Sequence, residues 1–100
     1  MQFLIIAYDA EDDKALERRM KAREAHIAHI SAAKVKGNAI IGAAILDDES
    51  GKMCGSTLIV DFINREALEE WLTREPYLID KVWEKVYIQP CQVGPSFLVK

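Results

Sequence analysis

Apolar and polar residues fall along this chain in alternating blocks, and each block has the period of one element. Residues 2–8 form a continuous apolar run rich in β-branched and aromatic side chains, which predicts a central strand covered on both faces. A polar turn with Asp9, Glu11, Asp12 and Asp13 follows, its acids placed to favour the start of a helix. Residues 14–36 carry Leu16, Met20, Ile27 and Ile30 at spacings of four, seven and three, a helix with one apolar stripe. Lys34 and Lys36 suit its last turn, and Gly37 its left-handed cap. Residues 38–46 and 54–62 read as two strands joined by the acidic turn 47–52, a hairpin. Gly42 and Gly55 leave room beside these strands for another group.

Asn64 can cap a second helix over 65–74, whose apolar face is Ala67, Leu68, Trp71 and Leu72. Pro76 ends it and holds Glu75 extended. Residues 77–80 fit one short turn. Residues 81–89 carry Val82, Val86 and Ile88 and form a last strand closed by Pro90. In the tail 92–100, Phe97, Leu98 and Val99 need cover.

The order β-α-β-β-α-β predicts an α+β, ferredoxin-like fold, an antiparallel sheet with both helices on one face. The opposite face is left bare, and sheet-to-sheet homodimerisation is its natural cover. The 100 residues make one domain, 1–100, with 91–100 a tail that can pack on a partner subunit. So short a chain has a modest core, which favours pairing.

Composition narrows the function. Thirteen basic against sixteen acidic residues give a net charge of -3, which disfavours a nucleic-acid binder. Cys54 and Cys91 are too few for a disulfide framework, and a reducing, cytoplasmic setting is expected. The chain shows neither a signal-peptide pattern nor an apolar run of membrane-spanning length. No phosphate loop or dinucleotide fingerprint is present. His26 and His29, three apart, make a poor metal pair with no second cluster to complete it. Neither a cofactor nor a metal is expected.

Candidate chemistry gathers on the first helix. On a wheel of about 100° per residue, Arg23 lands inside the apolar stripe, while Arg19 and His26 lie on its edge beside Ala15, Ala22 and Ala33. His29 points further round, to solvent. A buried Arg23 needs a carboxylate, Glu75 for instance, or a ligand anion. Arg19 is a contact for a substrate anion or a solvated surface arginine. His26 suits proton transfer near neutral pH, or a structural tie between helix and loop. Ser56, Tyr8 and Tyr77 can wall a pocket or simply pack.

The spacing Arg19-x-x-x-Arg23-x-x-His26, the Gly55-Ser56-Thr57 entry to the third strand and Glu75-Pro76-Tyr77 resemble the YCII-related (YciI-like) family from Gln2 to about Pro90. The resemblance implies a ferredoxin-like fold of the dimeric α/β-barrel type. It also implies an active site built from a first-helix histidine, matched by His26, and an aspartate in an Asp-Pro-Tyr or Asp-Pro-Phe motif. Glu75 stands where that aspartate is usual, one methylene longer. Some relatives are linked to breakdown of chlorinated aromatics, and muconolactone isomerases share the general fold.

Together these readings give a cofactor-free enzyme acting on a small anionic molecule by isomerisation, elimination or hydrolysis. His26 would be acid or base, Glu75 its orienter, and Arg19 and Arg23 the anion contacts. A ligand-binding dimer using the same pocket, or a purely structural dimer, are the alternatives.

Overall fold

A computed structural model describes residues 1–98; the expected cover for Val99 falls outside them. The elements are β1 (Gln2–Asp9), α1 (Ala15–Val35), β2 (Ala39–Leu46), β3 (Met53–Asp61), α2 (Arg65–Leu72), the single turn α3 (Pro76–Ile79) and β4 (Trp83–Cys91). A 3-10 turn, Pro95–Phe97, follows. The four strands form one antiparallel sheet in the order β2-β3-β1-β4. This is the ferredoxin-like arrangement that the order of blocks predicts.

Local signals set the element ends. The Asn64 side chain accepts the Ala67 N–H at 2.8 Å and opens α2. Gly37, at φ +83°, turns the chain out of α1. Pro76 does not stop α2, which already ends at Leu72; it occupies the first turn of α3, where its missing N–H costs nothing. Glu75, extended at φ -72° and ψ 117°, caps that turn by accepting the Tyr77 N–H at 2.9 Å. β4 begins two residues later than expected because Lys81 adopts φ 58° and the Val82 N–H is taken by the Tyr77 carbonyl. Pro90 lies within β4, an edge strand that tolerates the lost donor.

Three expectations need correction. First, β1 is central, but its burial alternates: Phe3, Ile5, Ala7 and Asp9 are buried beneath the helices. Leu4 and Ile6 on the other face are half-buried, and Tyr8 is exposed. Second, the face that α1 buries carries Ala15, Arg19, Ala22 and Ala33, while Met20 and Ile27 are about half exposed. Arg19 is 2% exposed and Arg23 is exposed, the reverse of the wheel assignment. Small residues let α1 lie close to the sheet, and the bulk comes from Phe3, Leu68, Trp71, Tyr77 and Trp83. A stripe chosen by side-chain size therefore picks the flank of this helix. Third, His29 does not project into solvent. Its ring stacks on Trp71, with centroids 4.5 Å apart and planes 15° apart.

At Gly55, the space of the missing side chain is taken by the neighbouring strand. A β-carbon there would lie 2.5 Å from the Ala7 carbonyl oxygen.

Candidate active site

Between α1 and the β2–β3 side of the sheet lies a hollow of about 300 Å³. Gly42 and Ala44 keep its floor low, Leu58 and Ile30 give it apolar walls, and Arg19, Arg23, His26, Ser56 and Tyr77 supply its polar lining.

His26 reaches it from α1. Its Nδ1 lies 2.7 Å from Glu75 Oε2, and the same oxygen accepts the Tyr77 N–H. The Glu75 side chain is fully buried and the His26 side chain 13% exposed. Two constraints fix the imidazole: the carboxylate on one nitrogen, and the Tyr77 ring stacked against its face at 3.9 Å and 12°. In the neutral ring, donation from Nδ1 leaves the Nε2 lone pair as an acceptor. No protein group among the described residues hydrogen-bonds Nε2. Glu75 Oε1 is also buried and lacks a protein partner.

Arg19 is held in a second network, with only its buried Nε lacking a protein partner. Its Nη1 donates to both Asp9 oxygens, at 2.8 and 3.0 Å, and its Nη2 donates to Ser56 Oγ at 2.8 Å. The guanidinium also lies over the Tyr77 ring, 4.6 Å from its centroid. Burial pushes the Asp9 carboxyl up from its ordinary value, against the downward pull of Arg19. Ser56 Oγ accepts a second bond from Trp83 Nε1 at 3.1 Å. Both acceptor positions of that hydroxyl are thus occupied, and its proton is left to donate. Burial likewise pushes the Tyr77 phenol up, beyond what the nearby Arg19 and Arg23 charges offset.

Arg23, in contrast, is exposed at the hollow and has no ion-pair partner among the described residues. Of the residues singled out from the sequence, the structure gathers Arg19, Arg23, His26, Ser56 and Tyr77 around the hollow, with Glu75 behind His26. Tyr8 is not among them. It lies on the helix-free sheet face, edge-on to Tyr87 at 6.4 Å, because even-numbered β1 positions point away from α1. The expected Arg23–Glu75 pair is replaced by Arg19–Asp9 and His26–Glu75. Sequence reasoning missed Asp9 and Trp83. Asp9 shares strand parity with Phe3, Ile5 and Ala7, the one signal that would have turned it toward α1. No group of three metal-ligating side chains occurs among the described residues. No helix among them is long and apolar enough to cross a membrane.

The topology defines a ferredoxin-like α+β protein, and the solved structures it resembles share that fold. Among them is 5-chloro-2-hydroxyhydroquinone dehydrochlorinase from Burkholderia phenoliruptrix AC1100, solved with 2,5-dihydroxybenzoquinone. It has a TM-score of 0.82 and 21% identity, covering 96% of this chain and 98% of that one. A dimeric ferredoxin-like protein of unknown function from Jannaschia sp. CCS1 has a TM-score of 0.50 and 12% identity, covering 92% and 98%. The chain matches the YCII-related domain over residues 1–92 and belongs to that family. It is 30% identical to Protein YciI of Escherichia coli O6:H1 over 95 residues, 90% of this chain and 95% of that protein. It is 28% identical to a protein of Haemophilus influenzae over the same shares.

Proposed function

We propose that the hollow is an acid–base active site in which His26 moves a proton to or from a small, ring-sized organic anion. The observation that carries this reading is the one-sided engagement of His26. Glu75 and Tyr77 fix the ring through Nδ1 and one face, and the remaining nitrogen has no protein partner. In this reading Nε2 takes a proton from the substrate, and the Glu75 carboxylate stabilises the imidazolium that forms. Arg23 receives the substrate's negative charge, and the Ser56 hydroxyl donates to one of its oxygens. Arg19 shapes the floor and holds Ser56 in place. The apolar walls exclude water from the transfer. The named reaction of the Burkholderia dehydrochlorinase removes hydrogen and chloride, an elimination within the range of such a pair. Isomerisation by proton removal and return uses the same groups.

We further propose that the chain works as a cytoplasmic homodimer. The helix-free sheet face exposes Ile41, Tyr8 and Tyr87 beside half-buried Leu4, Ile6 and Ile59, an apolar surface that a second copy can cover. A sedimentation measurement on Ile6→Lys should show the monomer.

The site is tested by thermal shift with 2,5-dihydroxybenzoquinone and with small aromatic carboxylates. At a ligand concentration 100-fold above Kd, binding contributes about 2.7 kcal/mol of stability. The expected result is stabilisation of the wild type that is lost in His26→Ala, with His26-dependent turnover of a substrate among those that bind. Equal stabilisation of both proteins would overturn the assignment.

A further inference from the structure

Tyr77 is 1% exposed, and nearly everything it can offer is spent. Its N–H donates to Glu75 Oε2, and its carbonyl accepts the Val82 N–H. Its ring stacks on His26, meets Trp83 edge-on at 5.7 Å and has the Arg19 guanidinium 4.6 Å from its centre. The phenolic oxygen is the exception. It makes no hydrogen bond among the described residues, yet it is not one of the fully enclosed polar atoms without a partner, which are Arg19 Nε, His29 Nε2 and Glu75 Oε1. A buried phenol ordinarily finds a partner for its hydroxyl. Here the oxygen keeps some of the residue's small remaining surface, and the cavity that Tyr77 lines is the hollow.

A second hydroxyl on the hollow has a proton to give. Ser56 Oγ accepts from Arg19 Nη2 and Trp83 Nε1, so its own O–H is left to donate. One guanidinium joins the two hydroxyl residues: it bonds Ser56 Oγ at 2.8 Å and covers the Tyr77 ring. Its charge is already balanced by Asp9, so Ser56 and Tyr77 offer donors without net charge. A neutral donor pair of this kind suits an oxygen that is neutral in the substrate and becomes charged during reaction. Resting on the acid–base reading of the hollow, we propose that the Tyr77 hydroxyl is a second catalytic group, donating with Ser56 to the carbonyl oxygen of a small anionic carbonyl compound while His26 removes a proton from carbon.

The step balances without a further reactant. A C–H bond beside or conjugated to the carbonyl breaks, and its proton goes to His26 Nε2. Its electron pair moves into the carbon framework while the carbonyl π pair settles on oxygen. Tyr77 and Ser56 keep their protons and hold that oxygen by hydrogen bonds, which strengthen as its charge grows. Return of the proton from Nε2 to another carbon of the conjugated anion completes an isomerisation; departure of a leaving group with its bonding pair completes an elimination. Burial raises the Tyr77 phenol above its ordinary value, beyond the downward pull of Arg19 and Arg23, so near neutral pH it is present as the donor this role needs. Exposed Arg23 meets the formal charge that the substrate brings with it.

The test uses a series of nitro- and fluoro-substituted phenolates of similar size, all ionised at mildly alkaline pH, whose charged oxygen stands in for the oxygen that develops charge. In the wild type, affinity should rise with the basicity of the phenolate. Tyr77→Phe keeps the ring that stacks on His26 and lies against Arg19, so its melting temperature should stay close to that of the wild type. Its phenolate affinities should fall by about tenfold or more, most for the most basic members, which flattens the dependence. Proton NMR of the wild-type complex should show a strongly deshielded hydroxyl proton that disappears in Tyr77→Phe. That signal is read on the wild type even if the variant disturbs packing, and its absence there would overturn the proposal. A uniform loss of affinity at unchanged slope would make Tyr77 a packing residue and overturn it too. Wild type and Tyr77→Phe binding phenolates alike, with His26 still required, would remove the phenol from the site and leave the acid–base reading standing. A wild type that binds neither phenolates nor aromatic carboxylates would sink both.

Discussion

Two buried polar clusters lie beneath α1, some seven residues apart along the helix, and they differ in one respect. The Arg19–Asp9–Ser56–Trp83 cluster is nearly closed: both terminal nitrogens of the guanidinium fork, both Asp9 oxygens and both lone pairs of the Ser56 hydroxyl are engaged within the protein, which leaves the buried Arg19 Nε without a partner. The His26–Glu75 cluster is open: His26 lines the hollow, its Nε2 has no protein partner among the described residues, and one buried carboxylate oxygen of Glu75 has none either. In the proposed reading the first cluster is fold architecture and the second is the acid–base site. On that reading the contrast makes the more buried arginine the less suitable substrate contact and gives that role to exposed Arg23.

If the first cluster is architectural, breaking it should cost stability. Asp9→Ala leaves the Arg19 guanidinium buried and unpaired, and should destabilise the fold by about 3–5 kcal/mol in urea unfolding. A cost under about 1 kcal/mol would mean that the cluster is not closed. Glu75→Gln keeps the size and the acceptor for the Tyr77 N–H but removes the charge beside His26. Its stability cost should be smaller, about 1–3 kcal/mol, while His26-dependent turnover should fall far more. Arg23→Ala should leave stability within about 0.5 kcal/mol, yet lose most of the thermal stabilisation by anionic ligands. The same substitution leaving ligand stabilisation intact would move the anion contact elsewhere.

The smallest expected effect is in the pH dependence. Burial lowers the His29 value below its ordinary 6.5, so the unfolded chain takes up that proton first as pH falls. The stability contributed by neutral His29 is complete above about 6.5. It declines as pH drops through the interval down to the folded-state value. Urea midpoints for His29→Phe should show a shallower loss over that interval than the wild type. Parallel curves would assign the acid sensitivity to other groups.

The fold was legible because block order and turn chemistry act locally. Asn64 caps α2, Gly37 turns the chain after α1 and Glu75 is extended ahead of Pro76, each for reasons contained in a few neighbouring residues. The pairing of His26 with Glu75 was implied by the family resemblance that the first-helix spacing and the Glu-Pro-Tyr stretch carry, while the residues alone left Glu75 equally open to Arg23. What was not readable depended on how closely α1 approaches the sheet. That distance is set by Ala15, Ala22 and Ala33, which look unimportant on a scale of bulk, and it decides which arginine goes inside. The partners of Arg19 come from strand parity at Asp9 and from Trp83 on a distant strand, neither visible in the helix itself. His29 was misplaced for the same reason, since its cover is supplied by Trp71 across the helix pair.

The central claim is that Glu75 fixes His26 with its Nε2 lone pair turned to the hollow. Nitrogen-15 NMR of the imidazole, recorded where the ring is neutral, reads this directly. The account predicts the tautomer protonated at Nδ1, with an acceptor signature at Nε2 that is lost in Glu75→Ala, which removes the acceptor at Nδ1. A neutral His26 protonated at Nε2 would contradict it.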